Sequence, residues 1–317
     1  MDGLKGNPLR GLRVLDGGLA TELEFRGADL SGPLWSAHVL ERQPELVAAV
    51  HRAYLDADAE CIATASYQVS RRGYAELGLA PERADQALLR AVEIAVRERD
   101  AALARGGYSG RRALVAASLG PLGAALHNGA EYHGNYDCGF DELVQFHGER
   151  LAVLAPVVGT AAGSPTADLL AFETIPSLDE ARAIVAALAE WPALLAWVSF
   201  TCRDGEHVAH GERLRDCAEA VAASPQVVGV GVNCVAPRLV GGLLGELRAG
   251  CALPMLAYPN SGEGWDAVAR RWTGVTDAGE FGALAAEWFA AGAQAVGGCC
   301  RTRPEHVRAI AAATGAR

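Results

Sequence analysis

The sequence lacks the features that mark membrane proteins, disulfide-rich proteins and nucleic-acid-binding proteins. No stretch of its 317 residues approaches the roughly 18 apolar residues of a membrane-spanning helix. Eight cysteines are too few for a disulfide scaffold, and the formal charge of −10 opposes the basic surface that nucleic-acid binding requires. Residues 1–12 also lack the apolar run of a signal peptide. We therefore expect a cytoplasmic protein whose cysteines stay reduced, with no nucleic-acid or membrane partner.

The chain also lacks an internal boundary. No Pro/Ser-rich linker or charged tail interrupts it, and half of its residues are hydrophobic, which is enough for a large buried core. We therefore expect a single domain over residues 1–317.

Short apolar runs recur along the chain, and each is followed by a polar or glycine-rich junction and then by a helical pattern. Apolar runs without polar alternation are typical of parallel strands that are buried on both faces. The predicted strands are Leu12–Leu15, Cys61–Ala63, Leu114–Ala117, Leu169–Phe172, Ala196–Phe200, Val227–Val232, Met255–Tyr258 and Ala295–Val296. The predicted helices are Pro44–Ala57, Pro81–Arg105, Asp141–Val157, Leu178–Glu190, Gly211–Ala223, Pro237–Arg248, Gly279–Ala291 and Pro304–Ala313.

Strict alternation of these strands and helices predicts the fold class. Eight βα units in about 300 residues are typical of a closed barrel, so we expect an α/β protein with a single (β/α)8 TIM-type barrel. An open doubly wound sheet is the alternative. In such barrels the catalytic residues lie where strands end, and here the predicted strands are followed mostly by polar residues, glycine and cysteine.

Three cysteines lie at the ends of predicted strands: Cys234 after the sixth strand, and Cys299 and Cys300 after the eighth. In a barrel only the seventh strand separates the sixth from the eighth, so the three thiols can face a common point. Gly297 and Gly298 precede the pair and permit a close backbone approach. Three thiolates suit Zn²⁺, which is tetrahedral and keeps one position open when the protein supplies three ligands. The adjacent pair alone also fits a vicinal disulfide or ordinary packing, and Cys234 makes zinc the favoured interpretation.

A zinc site with three thiolates restricts the chemistry that we expect. The thiolates make the centre negatively charged and weaken its Lewis acidity compared with a site of three histidines. Such a centre favours binding another soft sulfur as a thiolate, and it attracts a cationic partner.

Eight segments of the chain carry a family resemblance: Leu15–Leu23, Pro33–Ala37, Thr64–Gln68, Glu131–Tyr136, Phe172–Thr174, Gly231–Cys234, Tyr258–Glu263 and Gly297–Cys300. On these segments the sequence resembles the homocysteine S-methyltransferase family. The Gly-Gly-Cys-Cys motif together with the distant Asn-Cys pair makes the resemblance specific. It is closest to the branch that uses S-methylmethionine or S-adenosylmethionine as methyl donor.

The resemblance implies that Cys234, Cys299 and Cys300 hold one Zn²⁺ and that homocysteine sulfur takes the fourth position. It implies zinc-dependent methyl transfer from a sulfonium donor to the homocysteine thiolate, which forms methionine, with no catalytic residue beyond that thiolate. Carboxylates suit the substrate ammonium, and the N–H groups of a glycine-rich turn suit its carboxylate. We expect a monomer or a weak homo-oligomer. The implied substrate-binding residues are Asp16, Gly17, Gly18, Thr64, Glu173 and Asn233.

The donor site is less well defined by the sequence. Aromatic faces attract a sulfonium by cation–π interaction, and the segment Pro121–Phe140 is long enough to form a lid over the mouth of the barrel. The aromatic residues at or after predicted strand ends are Tyr67, Tyr132, Tyr136, Tyr258 and Trp265.

Other functions stay open at this point. A selenocysteine or other thiol methyltransferase would use the same zinc site, and a non-catalytic zinc or thiol-redox protein would use the vicinal pair without methyl transfer. Aldolase-like barrel chemistry would require a lysine at a strand end, but Lys5 is the chain's one lysine.

Overall fold

The computed structural model describes residues 6–30, 36–106, 112–159, 166–262, 264–266, 271–273 and 277–315. Of the segments that carry the family resemblance, Pro33, Leu34, Trp35 and Glu263 lie outside the described residues, as does the side chain of Trp265. No helix within these ranges combines the length and the apolar character that crossing a membrane would need.

A parallel sheet forms the centre of the fold. Seven strands pair in the order β1-β2-β3-β4-β5-β6-β9, all parallel, and a separate antiparallel pair consists of β7 and β8. Every residue of β4 and β5 is buried, as their continuous apolar sequences predict. The strands are β1 Cys61–Ala63, β2 Leu114–Leu119, β3 Leu169–Ile175, β4 Ala196–Phe200, β5 Val227–Asn233, β6 Met255–Tyr258, β7 Gly264–Asp266, β8 Arg271–Thr273 and β9 Ala295–Val296.

Helices surround this curled sheet. All eight predicted helices are present, and four short helices (α1, α2, α4 and α6) were not predicted. The predicted helix at Gly211 starts three residues later, at Leu214, because His207 and Arg213 form an antiparallel bridge before it. The helices are α1 Leu19–Phe25, α2 Ser36–Arg42, α3 Pro44–Leu55, α4 Arg71–Ala75, α5 Pro81–Ala104, α6 Leu122–Ala125, α7 Phe140–Leu154, α8 Leu178–Leu188, α9 Leu214–Ala222, α10 Val240–Gly250, α11 Ala278–Ala290 and α12 Pro304–Ala313.

The predicted first strand over Leu12–Leu15 is confirmed only in part, because it is not a regular strand of the sheet. This segment forms two isolated parallel bridges, from Val14 to Val296 of β9 and from Leu15 to Cys61 of β1. The backbone N–H groups of Arg13 and Val14 donate to the Glu60 carboxylate, at 2.6 and 3.2 Å, so they are not available for a regular ladder. The sheet of the described residues therefore has seven strands, and both of its outer strands bridge to the same short segment.

Candidate active site and metal centre

Three cysteine side chains converge at the carboxyl ends of the strands. Cys234 directly follows β5, and Cys299 and Cys300 follow β9, which is separated from β5 by β6. The three sulfur atoms lie within 4.8 Å of one another, and the Sγ atoms of Cys234 and Cys300 are 3.6 Å apart. Within the described part of the chain this is the one cluster of Cys, His, Asp and Glu side chains with metal-binding geometry.

Close backbone packing places these cysteines. The Cys299 N–H donates to the Pro259 carbonyl at 2.8 Å, and the Cys300 N–H donates to Asn260 Oδ1 at 3.2 Å. A Cβ on Gly297 would lie 2.6 Å from the Leu15 Cβ, which is closer than van der Waals contact allows. Glycine at this position therefore lets the Cys-Cys turn lie against the segment that connects the outer strands.

Unusual backbone conformations are concentrated at the same place. Five non-glycine residues of the described chain have positive φ, and four of them line the pocket beside the cysteines. Such conformations cost free energy and occur where the surrounding structure enforces them, often at functional sites. The four residues are His127, Thr174, Cys234 and Arg301.

The pocket has a volume of about 1180 Å³ and opens at the carboxyl ends of the strands. It brings together all the predicted metal-binding and homocysteine-binding residues. The predicted residues that line it are Asp16, Gly17, Gly18, Thr64, Glu173, Asn233, Cys234, Cys299 and Cys300.

Two carboxyl groups, the buried Asp16 and the half-buried Glu173, face the pocket. Asp16 Oδ2 accepts a 2.8 Å hydrogen bond from the Ala63 N–H, and Glu173 Oε2 accepts one from the Ser118 hydroxyl. Burial raises the pKa of Asp16 well above its ordinary value, and the charge of Glu173 adds to this effect. Burial also raises the pKa of Glu173 to about 7, although hydrogen bonds from Ser118 and Tyr258 oppose the shift. Each carboxylate is therefore poorly neutralised by the protein and suits a cationic ligand group.

The side chains of Thr64 and Asn233 are hydrogen-bonded within the protein. Thr64 Oγ1 accepts from the Ser118 N–H at 3.0 Å and lies 2.6 Å from the Ser66 hydroxyl. Asn233 Oδ1 accepts from the Thr174 N–H, and its amide donates to Thr174 Oγ1, both at 2.8 Å. Asn233 thus holds the left-handed turn at Thr174, which follows Glu173 in the chain.

The donor set of the cysteine cluster fits a metal ion. The pKa of Cys234 is well below its ordinary value because its sulfur accepts hydrogen bonds from Cys299 and Cys300, whose own pKa values are raised by donating to it. Ionising all three thiols in one place therefore requires a cation. The 3.6 Å separation of the Cys234 and Cys300 sulfurs is close to the ~3.8 Å expected between thiolates that bind a tetrahedral ion at about 2.3 Å.

Several residues of the site were missed from the sequence. Thr302 Oγ1 accepts from the Gly18 N–H at 3.0 Å and donates to the Cys299 carbonyl at 2.7 Å, so it joins the two glycine-rich segments. Ser118 contacts Glu173, and Asn260 contacts Cys300. The sequence could have indicated Ser118 and Asn260 as site residues, because both lie at or just after a strand end. Nothing in the sequence indicates Thr302.

Three of the five aromatic candidates line the pocket: Tyr67, Tyr132 and Tyr258. The Tyr132 hydroxyl lies 3.6 Å from the Cys234 sulfur. Tyr136 is not among the lining residues, and its hydroxyl donates to Glu180 at 3.0 Å. The lid role of residues 121–140 stays a prediction.

This arrangement, with thiols and carboxyl groups at the carboxyl ends of a curled parallel sheet, is typical of the active sites of α/β enzymes. The family model described as homocysteine S-methyltransferase matches residues 13–314. Homocysteine S-methyltransferase YbgG of Bacillus subtilis is 42% identical over 303 residues, covering 95% of this chain and 94% of the relative. The chain therefore belongs to the homocysteine S-methyltransferase family and is a methyltransferase.

Solved structures of a relative agree with this assignment. The oxidized form of the Escherichia coli homocysteine methyltransferase MmuM has a TM-score of 0.85 at 40% identity, covering 97% of this chain and 99% of that one. The metallated form of the same protein has a TM-score of 0.83 at 40% identity, covering 95% and 96%.

Proposed function

We propose that the protein transfers a methyl group from a sulfonium donor, S-methylmethionine or S-adenosylmethionine, to the sulfur of homocysteine and forms methionine. The observation that carries this proposal is the position of three thiols within 4.8 Å of one another, in one pocket with Asp16 and Glu173. A thiol cluster and two carboxyl groups match the two ends of homocysteine, its sulfur and its ammonium.

Cys234, Cys299 and Cys300 would hold one Zn²⁺. The chemistry supplied by the ion, when bound, is that of a Lewis acid that keeps the homocysteine sulfur as a thiolate at neutral pH. The Escherichia coli relative has a metallated form, and this supports a metal ion in this protein as well.

The carboxyl groups would bind the homocysteine ammonium. A cation placed between Asp16 and Glu173 lowers the pKa of both groups, so that Glu173, whose pKa is about 7, ionises as the substrate enters. The Gly18 N–H already donates to Thr302, whereas the Gly17 N–H has no partner among the described residues. We therefore place the substrate carboxylate at Gly17, beside Thr64, with Asn233 holding the turn after Glu173.

The methyl transfer itself needs no acid or base from the protein. The bond between the methyl carbon and the homocysteine sulfur forms while the bond to the donor sulfur breaks, and the electron pair of that bond stays on the donor as a neutral thioether. The thiol proton of homocysteine leaves to solvent. Because opposite charges are neutralised in the transition state, a pocket that excludes water favours the reaction.

The fold would then be the complete (β/α)8 TIM-type barrel, with Val14 and Leu15 in the place of its first strand. Their bridges to β9 and β1 support this interpretation. The single domain over residues 1–317, the cytoplasmic location and the monomeric or weakly oligomeric state stay predictions.

The test is methionine formation from homocysteine with each donor, with and without a chelator. We expect activity with at least one sulfonium donor, loss of activity on chelation, and recovery on addition of Zn²⁺. A zinc-loaded protein that forms no methionine with S-methylmethionine and none with S-adenosylmethionine would contradict the proposal. Rates with selenocysteine in place of homocysteine distinguish the two acceptors.

A further inference from the structure

A third carboxyl group in the pocket has no role in homocysteine binding as described above. Glu131 lies in the 3₁₀ turn Ala130–Tyr132 and lines the pocket beside the cysteine cluster. Its Oε2 atom is buried and has no hydrogen-bond partner among the described residues, and the same is true of Gln68 Oε1 in the same pocket. Buried acceptors without a donor are uncommon in folded proteins, and each one costs free energy.

The backbone of Glu131 is tightly held. A Cβ on Gly123, in helix α6, would lie 2.8 Å from the Glu131 Cα, so the turn packs directly on that helix. Asn128 Oδ1 accepts a 3.0 Å hydrogen bond from the Ala130 N–H and caps the turn. The carboxyl group is therefore presented to the pocket from a rigid support.

Glu131 lies near the reacting end of the pocket. The Cys234 thiolate contributes to raising the pKa of Glu131, and the Glu131 charge contributes to raising that of Tyr67. The next residue, Tyr132, has its hydroxyl 3.6 Å from the Cys234 sulfur. Glu131 thus stands beside the position that the homocysteine sulfur would take.

The pocket offers little positive charge to neutralise this carboxylate. Arg301 is the one arginine among the lining residues, and its guanidinium forms an ion pair with Glu24 at 3.1 Å. Glu131 comes from the 3₁₀ turn Ala130–Tyr132, whereas Glu173 lies in β3 and Asp16 follows the bridged residue Leu15, so Glu131 is carried by a different part of the pocket wall. Glu131 is therefore a separate anionic position, and it suits a second cationic group.

We propose that the Glu131 carboxylate, together with the rings of Tyr67 and Tyr132, binds the positively charged sulfonium centre of the methyl donor. This inference rests on the proposed function and assigns the donor subsite of the same pocket. Aromatic faces and a carboxylate both attract a cation, and they select a sulfonium against the neutral thioether that the reaction releases.

Glu131 would increase the affinity of the pocket for the methyl donor. The positive charge of the sulfonium decreases as its methyl group leaves, so the carboxylate attracts the bound donor more strongly than it attracts the transition state. An interaction that favours the ground state in this way lowers the KM for the donor and does not raise kcat.

The test compares Glu131→Gln with the wild-type holoenzyme. We expect the donor KM and the calorimetric Kd of S-methylmethionine to rise about tenfold, with kcat unchanged or higher. The KM for homocysteine and the zinc content should be unchanged. Glu131→Asp keeps the charge, so its donor KM and Kd should lie between those of the wild type and of Glu131→Gln. This partial rescue would show that the loss of affinity does not come from misfolding.

Asp137→Asn is the matched control, because Asp137 is an exposed carboxylate a few residues along the same segment and does not line the pocket. Its donor KM should stay within about twofold of wild type, since an exposed charge is screened by solvent. If the donor KM of Asp137→Asn rises as much as that of Glu131→Gln, the effect comes from the net charge of the protein and the inference is wrong.

Two further results would overturn the inference while leaving the proposed function intact. One is an active Glu131→Gln enzyme with unchanged donor KM and Kd. The other is a Glu131→Gln enzyme that loses affinity equally for S-methylmethionine and for methionine, measured as an inhibitor that competes with the donor. Both molecules carry an ammonium group, but only S-methylmethionine carries a sulfonium, so equal losses would mean that Glu131 does not bind the sulfonium. Failure of the proposed function has a different readout, because the wild-type protein itself would then make no methionine.

Discussion

The Tyr136 hydroxyl donates a 3.0 Å hydrogen bond to Glu180 Oε2, and this contact joins the segment that carries Glu131 to helix α8. The other carboxylate oxygen of Glu180 accepts from the Leu122 N–H at 2.6 Å and lies 3.0 Å from His147 Nε2. One buried side chain therefore anchors the segment on both sides of Glu131.

Replacing Glu180 should strongly destabilise the protein. Glu180→Gln keeps one acceptor oxygen and replaces the other by a donor, so the buried group that bonded to the lost oxygen has no acceptor, and we expect a loss of about 3 kcal/mol in the free energy of unfolding. Tyr136→Phe removes one hydrogen bond and should cost about 1 kcal/mol. Urea unfolding measures both. The exposed Glu190, two residues beyond the end of the same helix, is the control, and its change to Gln should alter the free energy of unfolding by at most about 0.5 kcal/mol. Equal effects at both glutamates would contradict the anchoring role.

Adding a methyl group at Gly297 should disturb the metal centre. A Cβ there would lie 2.6 Å from the Leu15 Cβ and 2.7 Å from the Asp16 carbonyl oxygen, so the turn that carries the cysteines must move. We expect Gly297→Ala to bind less than one metal ion per chain and to lose about 100-fold in kcat/KM. Metal analysis and initial rates measure the two effects.

Gly148→Ala is the control for this substitution. Gly148 lies inside helix α7, and a Cβ there meets open space. This variant should keep full activity and gain about 0.5–1 kcal/mol of stability, because alanine favours the helix. A fully metallated and active Gly297→Ala protein would show that the close packing is not needed.

Removal of one thiol should abolish metal binding at the cluster. Cys234→Ser replaces a soft donor by a hydroxyl, so we expect loss of zinc and a fall in activity of at least about 1000-fold. Cys251→Ser changes a half-buried thiol outside the pocket and should retain both. Retention of activity by a metal-free Cys234→Ser protein would show that methyl transfer does not depend on the cluster.

A buried histidine should make the fold sensitive to acid. His51 is fully buried, neither ring nitrogen has a partner among the described residues, and burial lowers its pKa to about 4. The unfolded chain binds this proton near pH 6.5, so the stability that the neutral imidazole allows is complete above pH 6.5 and is lost as the pH falls toward 4.

We therefore expect His51→Leu to flatten the pH dependence of stability. The gain of the variant over wild type should be about 2 kcal/mol larger at pH 5 than at pH 8, measured by urea unfolding at both values. His147, whose pKa is also lowered to about 4, remains in both proteins and affects them equally. An unchanged difference between the two pH values would mean that the imidazole does not titrate with unfolding.

The repeating elements of the fold were predictable because their signal is local. Apolar runs mark β1–β6 and β9, and amphipathic patterns mark the eight longer helices. The predicted first strand is reduced to two parallel bridges, at Val14 and Leu15, and the N–H groups of Arg13 and Val14 bond instead to Glu60, a side chain more than 40 positions away. No local pattern shows that such a side chain will replace a strand partner.

Prediction of the site followed the same rule. The cysteines, Asp16 and Glu173 stand at strand ends, where the fold class places chemistry, and the structure brings them into one pocket. The roles of Ser118 and Thr302 depend on partners 55 and 284 positions away, at Glu173 and Gly18. The strand-end position of Ser118 indicates a place in the site, but the partners of both residues are defined only once the strands are aligned.

The two bridges of Val14 and Leu15 have a thermodynamic consequence. They form a narrow seam between the outer strands of the sheet, and the pocket is lined both by Asp16, which directly follows the seam segment, and by Cys299, which follows β9. A ligand that contacts both sides fastens the seam and binds the folded state alone. Substrate affinity and resistance to unfolding are therefore linked quantities, and saturation of the pocket raises the melting temperature of the whole barrel-like sheet.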